Sequence, residues 1–350
     1  MLIMKVEGVG LKKILVYILT AVLLFCAAGC MTGCSGDGSE TGQSGTNGSE
    51  AGQNGNGNSG NGQNGEGSNG NSDASGNGSG GNGGTKGNND ASGCTITTFA
   101  IGKGDAILIS SGSVNILVDT GEEDDGEYIC SRLKEKGVSK LDLLLITHFD
   151  KDHVGGAPQI LQEISVDKVY YPDYANTKDV FLNFKRAISD RGNEGKITAI
   201  TEFIAGDLRL RIYPEEKPDT LRAKSDDFDN DMSLVSMLYY KDYKFLFCGD
   251  IEKDRTEEIL SAQDETGESG IALKCDWIKM PHHGRYNKKI KTLLDACAPS
   301  YAVITDSEDA VADTDTQVEL IKRKITSFST RNGEIVTTAD DDGLKVEYAE

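Results

Sequence analysis

Four histidines, one tryptophan and six prolines are all that 350 residues contain of these types. Positive charge is short as well: 36 Lys and Arg face 56 Asp and Glu, for a formal net charge of −20. A chain this acidic repels polyanions and lacks the basic footprint that sequence-independent nucleic-acid binding uses. Within residues 94–350, cysteines with zinc-knuckle spacing are missing too, since none of the five there, Cys94, Cys130, Cys248, Cys275 and Cys297, lies in a C-x-x-C pair. Their odd number and irregular spacing argue against a disulfide framework.

A hydrophobic run long enough to span a bilayer is also absent. The apolar stretch 14–29 has 16 residues, too few to cross about 30 Å of hydrocarbon comfortably. Lys5, Lys12 and Lys13 precede it, and it ends in the small residues Ala27, Ala28 and Gly29, directly ahead of Cys30. A charged start, a short apolar middle and small residues before a cut site describe an export signal. The junction resembles the lipobox of bacterial lipoproteins, which implies lipidation at Cys30. Residues 1–30 are therefore expected to be a lipoprotein-type signal peptide, with the rest extracytoplasmic and lipid-anchored to the bacterial cell membrane.

Residues 31–93 are expected to be a disordered Gly/Ser/Asn-rich linker. From 35 onward they hold 21 of the 42 glycines and no apolar residue larger than Ala. Without apolar surface to bury, nothing offsets the entropy of ordering such a segment. Its random-coil reach of roughly 40–45 Å would hold an enzyme off the membrane.

Residues 94–350 are enough for one domain and carry −17 of the formal charge. Strand-like and helix-like segments alternate along them. Short β-rich runs at 95–100, 106–110 and 114–119 read as a meander, and 127–136 as a helix stopped by Gly137. The run 141–146 (LDLLLI) is a buried strand that leads into a His/Asp cluster. The second half repeats the plan, with strands at 208–213, 233–240, 244–248, 277–280 and 301–305 and helices at 252–263, 290–296 and 317–325. Strands at 327–329, 334–338 and 344–348 close the chain. Two β-rich halves with helices outside imply two packed sheets flanked by helices.

All four histidines lie in two short motifs at the ends of predicted strands: His148 and His153, then His282 and His283. Asp150 and Asp152 are interleaved with the first pair. A buried strand end crowded with carboxylates and imidazoles calls for a cation. A solvated acidic loop would not explain why histidine occurs nowhere else.

The segment 147–156 (THFDKDHVGG) resembles the H-x-H-x-D-H signature of metallo-β-lactamase-fold hydrolases, and with it the fold is expected to be an α/β, αββα sandwich. Leu117-Val118-Asp119-Thr120-Gly121 resembles the motif whose aspartate braces the metal loop. Phe247-Cys248-Gly249-Asp250 resembles the motif whose aspartate bridges two metals. Gly104-Asp105-Ala106-Ile107, Asn230-Asp231-Met232-Ser233, Gly249-Asp250-Ile251-Glu252 and Pro281-His282-His283-Gly284 are similar to the hydrolase domain of the DNA-uptake channel family ComEC and its stand-alone relatives. The same arrangement resembles that of surface phosphorylcholine esterases.

The resemblance implies one or two divalent metal ions, zinc or manganese, held by His148, Asp150, Asp152, His153, Asp250 and His283. It gives catalytic roles to Asp152 and His282 and supporting roles to Asp119 and Asn230. Two departures stand out. The signature's second histidine is Asp150, and a late histidine of the subgroup is replaced around Asp313, so that either Asp313 is the substitute ligand or the second metal is weak or absent. An added carboxylate hardens the site and moves its preference from zinc towards manganese or iron. The subgroup's usual Asp and Gln near the start are Ala100 and Lys103. Arg285 and Tyr286 bind a phosphate oxygen or cap a loop, the 226–229 acidic run reads as a solvated loop, and Trp277 as core.

The expected function is an extracytoplasmic metal-dependent hydrolase, acting as a phosphodiesterase on DNA or a cell-envelope phosphodiester through water that the metal activates. The alternatives are a non-catalytic surface binding protein with a decayed site, and a β-lactamase or other amide or ester hydrolase. The expected partners are the phosphodiester substrate and, through the anchor, the membrane; no protein partner is expected.

Overall fold

The computed structural model describes residues 93–264 and 270–350. The expected signal peptide, the linker and the lipidation site Cys30 lie outside the described residues. The first half opens with β1 (Cys94–Thr98), β2 (Ile107–Ser111), β3 (Val114–Val118) and α1 (Asp125–Glu135). It continues through β4 (Lys140–Leu141), β5 (Leu143–Leu145), α2 (Lys151–Val154), α3 (Ala157–Glu163) and β6 (Ser165–Val166). It closes with β7 (Val169–Pro172), α4 (Asp179–Ile188) and β8 (Glu194–Ile197).

The second half runs β9 (Thr201–Ala205), β10 (Leu208–Tyr213), α5 (Pro218–Arg222), α6 (Phe228–Asp231), β11 (Val235–Tyr240) and β12 (Tyr243–Phe247). Then come α7 (Lys253–Ser261), β13 (Trp277–Lys279), α8 (Ile290–Cys297), β14 (Tyr301–Ile304), α9 (Thr314–Lys322) and β15 (Thr326–Ser329). The hairpin β16 (Ile335–Asp340) and β17 (Gly343–Tyr348) ends the chain.

Two large sheets result, of order β17-β16-β1-β2-β3-β5-β7-β8 and β15-β14-β13-β12-β11-β10-β9. Each is antiparallel at one end and parallel at the other. In the first, β3, β5, β7 and β8 run parallel; in the second, β12 to β15 do. The final hairpin returns to the first sheet, where β16 pairs with β1, so the two sequence halves do not map cleanly on to two sheets.

Side-chain alternation explains the layering. Ile107, Ile109, Ile116, Val118, Leu143 and Leu145 point between the sheets, against Leu210, Ile212, Leu238, Phe245, Phe247 and Trp277. Leu108, Leu117 and Leu144 point the other way, on to α1, α3 and α4 through Ile129, Leu133, Ile160 and Phe184. The outer face of the second sheet mirrors this, with Met237, Leu246 and Ile278 against Ile259, Leu293 and Leu320. The expected αββα order of layers is what these contacts make. Strands buried on both faces explain the uninterrupted LDLLLI run. Trp277 is fully buried, its ring 5.2 Å from that of Phe247.

The five cysteines among the described residues are free and buried. No helix among those residues is long and apolar enough to cross a membrane. The acidic run 226–229 differs from its expected open loop: Asp227 caps the single turn α6 by accepting from the Asn230 N–H. That turn carries Asn230 and Asp231 into the interior.

Candidate metal centre

The parallel strands aim their C-terminal ends at one edge of the sandwich, where open α/β layers place their sites. Asp119 follows β3, Thr147 and His148 follow β5, and α2 carries Asp152 and His153. From the other sheet, Asp250 follows β12, His282 and His283 follow β13, and Thr305 follows β14. Gly155 and Gly156 let this loop pack tightly; a Cβ on Gly156 would lie 2.3 Å from the Thr120 carbonyl oxygen.

Backbone strain collects at the same edge. Asp119 has φ of 58°, and His282, His283 and Gly284 follow one another at 47°, 53° and 79°. Three successive left-handed residues, two of them with side chains, are costly and persist only where surrounding contacts over-determine them. The turn throws the two imidazoles apart, His283 inward and His282 to the rim.

Asp119 is the brace. Its Oδ1 accepts the Thr147 N–H at 2.7 Å, and Oδ2 accepts the Thr147 hydroxyl at 2.7 Å. Oδ2 also lies 2.8 Å from His153 Nδ1. That contact leaves His153 Nε2 facing the site, 3.2 Å from Asp250 Oδ2 and 3.4 Å from His283 Nε2. His283 is fixed through Nδ1, which is 3.0 Å from the Thr305 carbonyl, while its Nε2 is 2.9 Å from Asp250 Oδ2 and 3.4 Å from Asp152 Oδ2. His148 Nε2 is buried without a hydrogen-bond partner.

Two sets of donors converge: His148, His153 and Asp250, and Asp105, His153 and His283, with ligand atoms within 4.8 Å of one another in each set. An orphaned imidazole nitrogen beside a buried carboxylate fits a divalent cation, because a buried polar atom without a partner is otherwise a net cost. The charges agree. Burial drives the His148 imidazolium down to about 3, assisted by His153. His153 and His283 are raised despite burial, by Asp250, Asp119 and Asp105 for the first and by Asp250 and Asp152 for the second. Asp250 is lowered well below the usual carboxylate range, burial notwithstanding, by His153, His283 and Lys279. A cation bound by these atoms would displace protons from the imidazoles.

Not every expected ligand joins the cluster. Asp150, at the start of α2, turns to Lys178, 2.5 Å from its Nζ. Asp313 is half-exposed and accepts from Arg285 at 3.1 Å and from the Tyr286 N–H at 2.9 Å. It ties the loop after the histidines to the start of α9, so Arg285 and Tyr286 serve there as loop closers. Asn230 sits beside the rim with Nδ2 3.4 Å from Glu252 Oε1. His282 is at that rim too, its Nδ1 3.1 Å from Glu252 Oε1.

Two buried residues of the centre had no role assigned from sequence. Asp105 accepts the Thr305 hydroxyl at 2.5 Å and lies 3.5 Å from His283 Nδ1. Lys279 is 1% exposed, with Nζ 2.5 Å from Asp105 Oδ2 and 3.4 Å from Asp250 Oδ1. The sequence signal for Lys279 was a charged residue inside the apolar run Trp277-Ile278-Lys279-Met280. For Asp105 it was the Gly104-Asp105 pair itself: a Cβ on Gly104 would lie 2.9 Å from the Asp152 carbonyl oxygen.

A two-sheet sandwich with His and Asp side chains gathered at its strand ends makes a candidate metal centre. Residues 101–304 match the Metallo-beta-lactamase superfamily, and the chain belongs to that superfamily. It is 26% identical over 181 residues to ComE operon protein 3 of Bacillus subtilis (strain 168), covering 49% of this chain and 21% of that protein. It is 26% identical over 215 residues to Recombination protein 2 of Haemophilus influenzae, covering 60% and 24%. The chain thus matches about a quarter of the length of these relatives. Among solved structures it is similar to Igni18, a metallo hydrolase of Ignicoccus hospitalis (12% identity, TM-score 0.43, 73% of this chain and 100% of that one). The metallo-beta-lactamase fold protein YhfI of Bacillus subtilis is similar at 9% identity, with TM-score 0.42, 67% of this chain and 95% of that one.

Proposed function

We propose that the protein is a metal-dependent phosphodiesterase working outside the cell membrane, anchored through Cys30. The observation that carries the metal reading is His148 Nε2, buried and unpartnered in a donor set with His153 and Asp250. These three residues would hold the cation, with Asp152 and His283 beside them and Asp119 fixing His153. A divalent ion supplies a water nucleophile at neutral pH and charge to stabilise a phosphodiester's oxygens. The thiols are poor nucleophiles: burial pushes Cys94 up to about 12 and raises Cys248 as well.

The remaining chemistry would fall to two neighbours of the cation. Asp152, buried beside the donors, would orient an attacking water. His282 is about a quarter exposed and backed by Glu252, a carboxylate–imidazole pair suited to passing a proton to a leaving oxygen. Two imidazoles and one carboxylate suit zinc as well as manganese, so both metals belong in the test. The recombination name of one relative makes DNA one substrate to test. The acidic domain favours a smaller envelope phosphodiester.

The test is metal content together with cleavage of bis-p-nitrophenyl phosphate and a labelled oligonucleotide, with manganese or zinc, on wild type and Asp250→Ala. Wild type is expected to bind metal and turn over. The variant is expected to lose both, with activity down at least about a hundredfold. No cleavage of any phosphodiester with either metal would sink the reading, and Asp150 and Asp313, each held by a basic partner, would then favour a non-catalytic binding protein.

A further inference from the structure

Four buried carboxylates surround the centre: Asp105, Asp119, Asp152 and Asp250. Two ammonium groups already answer part of their charge. Lys279 is locked between Asp105 and Asp250. Lys103 reaches in from the β1–β2 loop, its Nζ 2.8 Å from Asp152 Oδ2, with Lys103 40% and Asp152 6% exposed.

The backbone holds Lys103 in this place. The Asp105 N–H donates to the Asp152 carbonyl at 3.0 Å, and the Gly121 N–H donates to the Asp105 carbonyl at 2.8 Å. Gly104 between them has no space for a side chain against Asp152. The loop is therefore stitched through Asp105 to Asp152 in the metal loop and to Gly121 in the turn after β3, and the lysine two residues before Asp105 has a short path to the Asp152 carboxylate.

Resting on the metal reading above, we propose that the centre takes a single divalent cation, at His148, His153 and Asp250, and that the Lys103 ammonium stands in beside Asp152 for the charge of a second. Four carboxylates and two ammonium groups leave two negative charges, which one dication neutralises. A second dication would have to form its bonds at Asp152 against the Lys103 charge, or at Asp105 against Lys279. Buried excess charge of either sign is costly, so the second position is weak while the Lys103 side chain occupies Asp152. Both lysines thus set metal stoichiometry, and Lys103, being half-exposed, is the one that can be changed without opening the core.

The experiment counts metal per chain after equilibration with manganese or zinc and dialysis, and titrates each metal against a chromogenic chelator. The proteins are wild type, Lys103→Gln and Lys103→Arg, each checked for an unchanged thermal transition without metal. Wild type and Lys103→Arg are expected to hold one ion. Lys103→Gln is expected to take up a second, its dissociation constant tightened about tenfold or more relative to wild type. Two ions in wild type would overturn the proposal while leaving the metal reading standing. One ion in Lys103→Gln would overturn the role of Lys103. No ion in any of the three would overturn the metal reading itself, and the proposal with it.

Discussion

His153 Nδ1 lies 2.8 Å from Asp119 Oδ2, with both side chains fully buried. The same carboxylate receives the Thr147 backbone N–H and hydroxyl, so one aspartate sets the tautomer of one ligand and the entry of the loop that carries another. Asp119→Asn keeps the volume but loses the charge, and one of its two polar atoms becomes a donor facing donors. Metal affinity is expected to fall about 10–100-fold, the usual cost of losing such an outer partner. Competitive chelator titration reads this directly. An affinity unchanged from wild type would show that Asp119 serves only the fold.

Asp150 occupies the place of the signature's second histidine and is drawn to Lys178, which also bridges to Asp229 at 2.7 Å. Asp150→His replaces a hard oxygen with an imidazole that Lys178 no longer attracts. Zinc affinity is expected to rise relative to manganese, because imidazole suits zinc and carboxylate suits manganese. Measuring both metals on both proteins gives a ratio free of scale errors. A ratio that does not move would mean that residue 150 stays outside the coordination sphere.

Glu215 gives a dependence on pH well away from the metal. Burial first, and its contact with Glu258, push its carboxyl from 4.5 up to about 7, while Arg255 lies 3.2 Å from its Oε2. The folded chain keeps a proton between these values that the unfolded chain releases. Its contribution to stability is therefore full below about pH 4.5 and fades as pH rises through about 7. Glu258 is lowered by the same contact, so its opposing effect falls below pH 4.5, outside this window. Urea midpoints at about pH 5 and about pH 7.5 should fall more for wild type than for Glu215→Gln. Parallel curves for the two proteins would contradict this.

Much of this architecture was legible because it depends on local pattern. Alternation placed β10 at its observed limits and the other strands of the expected set within a residue or two of theirs, and the uninterrupted apolar run at β5 announced burial on both faces. Edge elements were not legible. β8 reads Glu-Gly-Lys-Ile and β9 shows a single buried residue, Phe203, so neither has an apolar face to detect. The return of β16 to β1 was hidden for another reason, since no local signal says which of two sheets a final hairpin joins.

The centre divides in the same way. His148, His153, His283 and Asp250 stood out as residue types that need each other, whereas Lys279 is informative only beside Asp105, which comes from the far end of the domain. Asp313, expected as a substitute ligand, instead has both its oxygens engaged by Arg285 and the Tyr286 N–H. Charge partners of that kind are set by tertiary approach and leave no trace in spacing.

Cys94, Cys130, Cys248, Cys275 and Cys297 are at most 5% exposed. A thiol sealed this way reacts with an alkylating reagent only when the surrounding layer opens, so its labelling rate counts excursions from the native state. Cys94 belongs to the layer between the sheets, Cys130 to the first outer layer, and Cys248, Cys275 and Cys297 to the second. The chain thus carries a native clock in each layer of its sandwich, and the one at Cys248 stands two residues before Asp250.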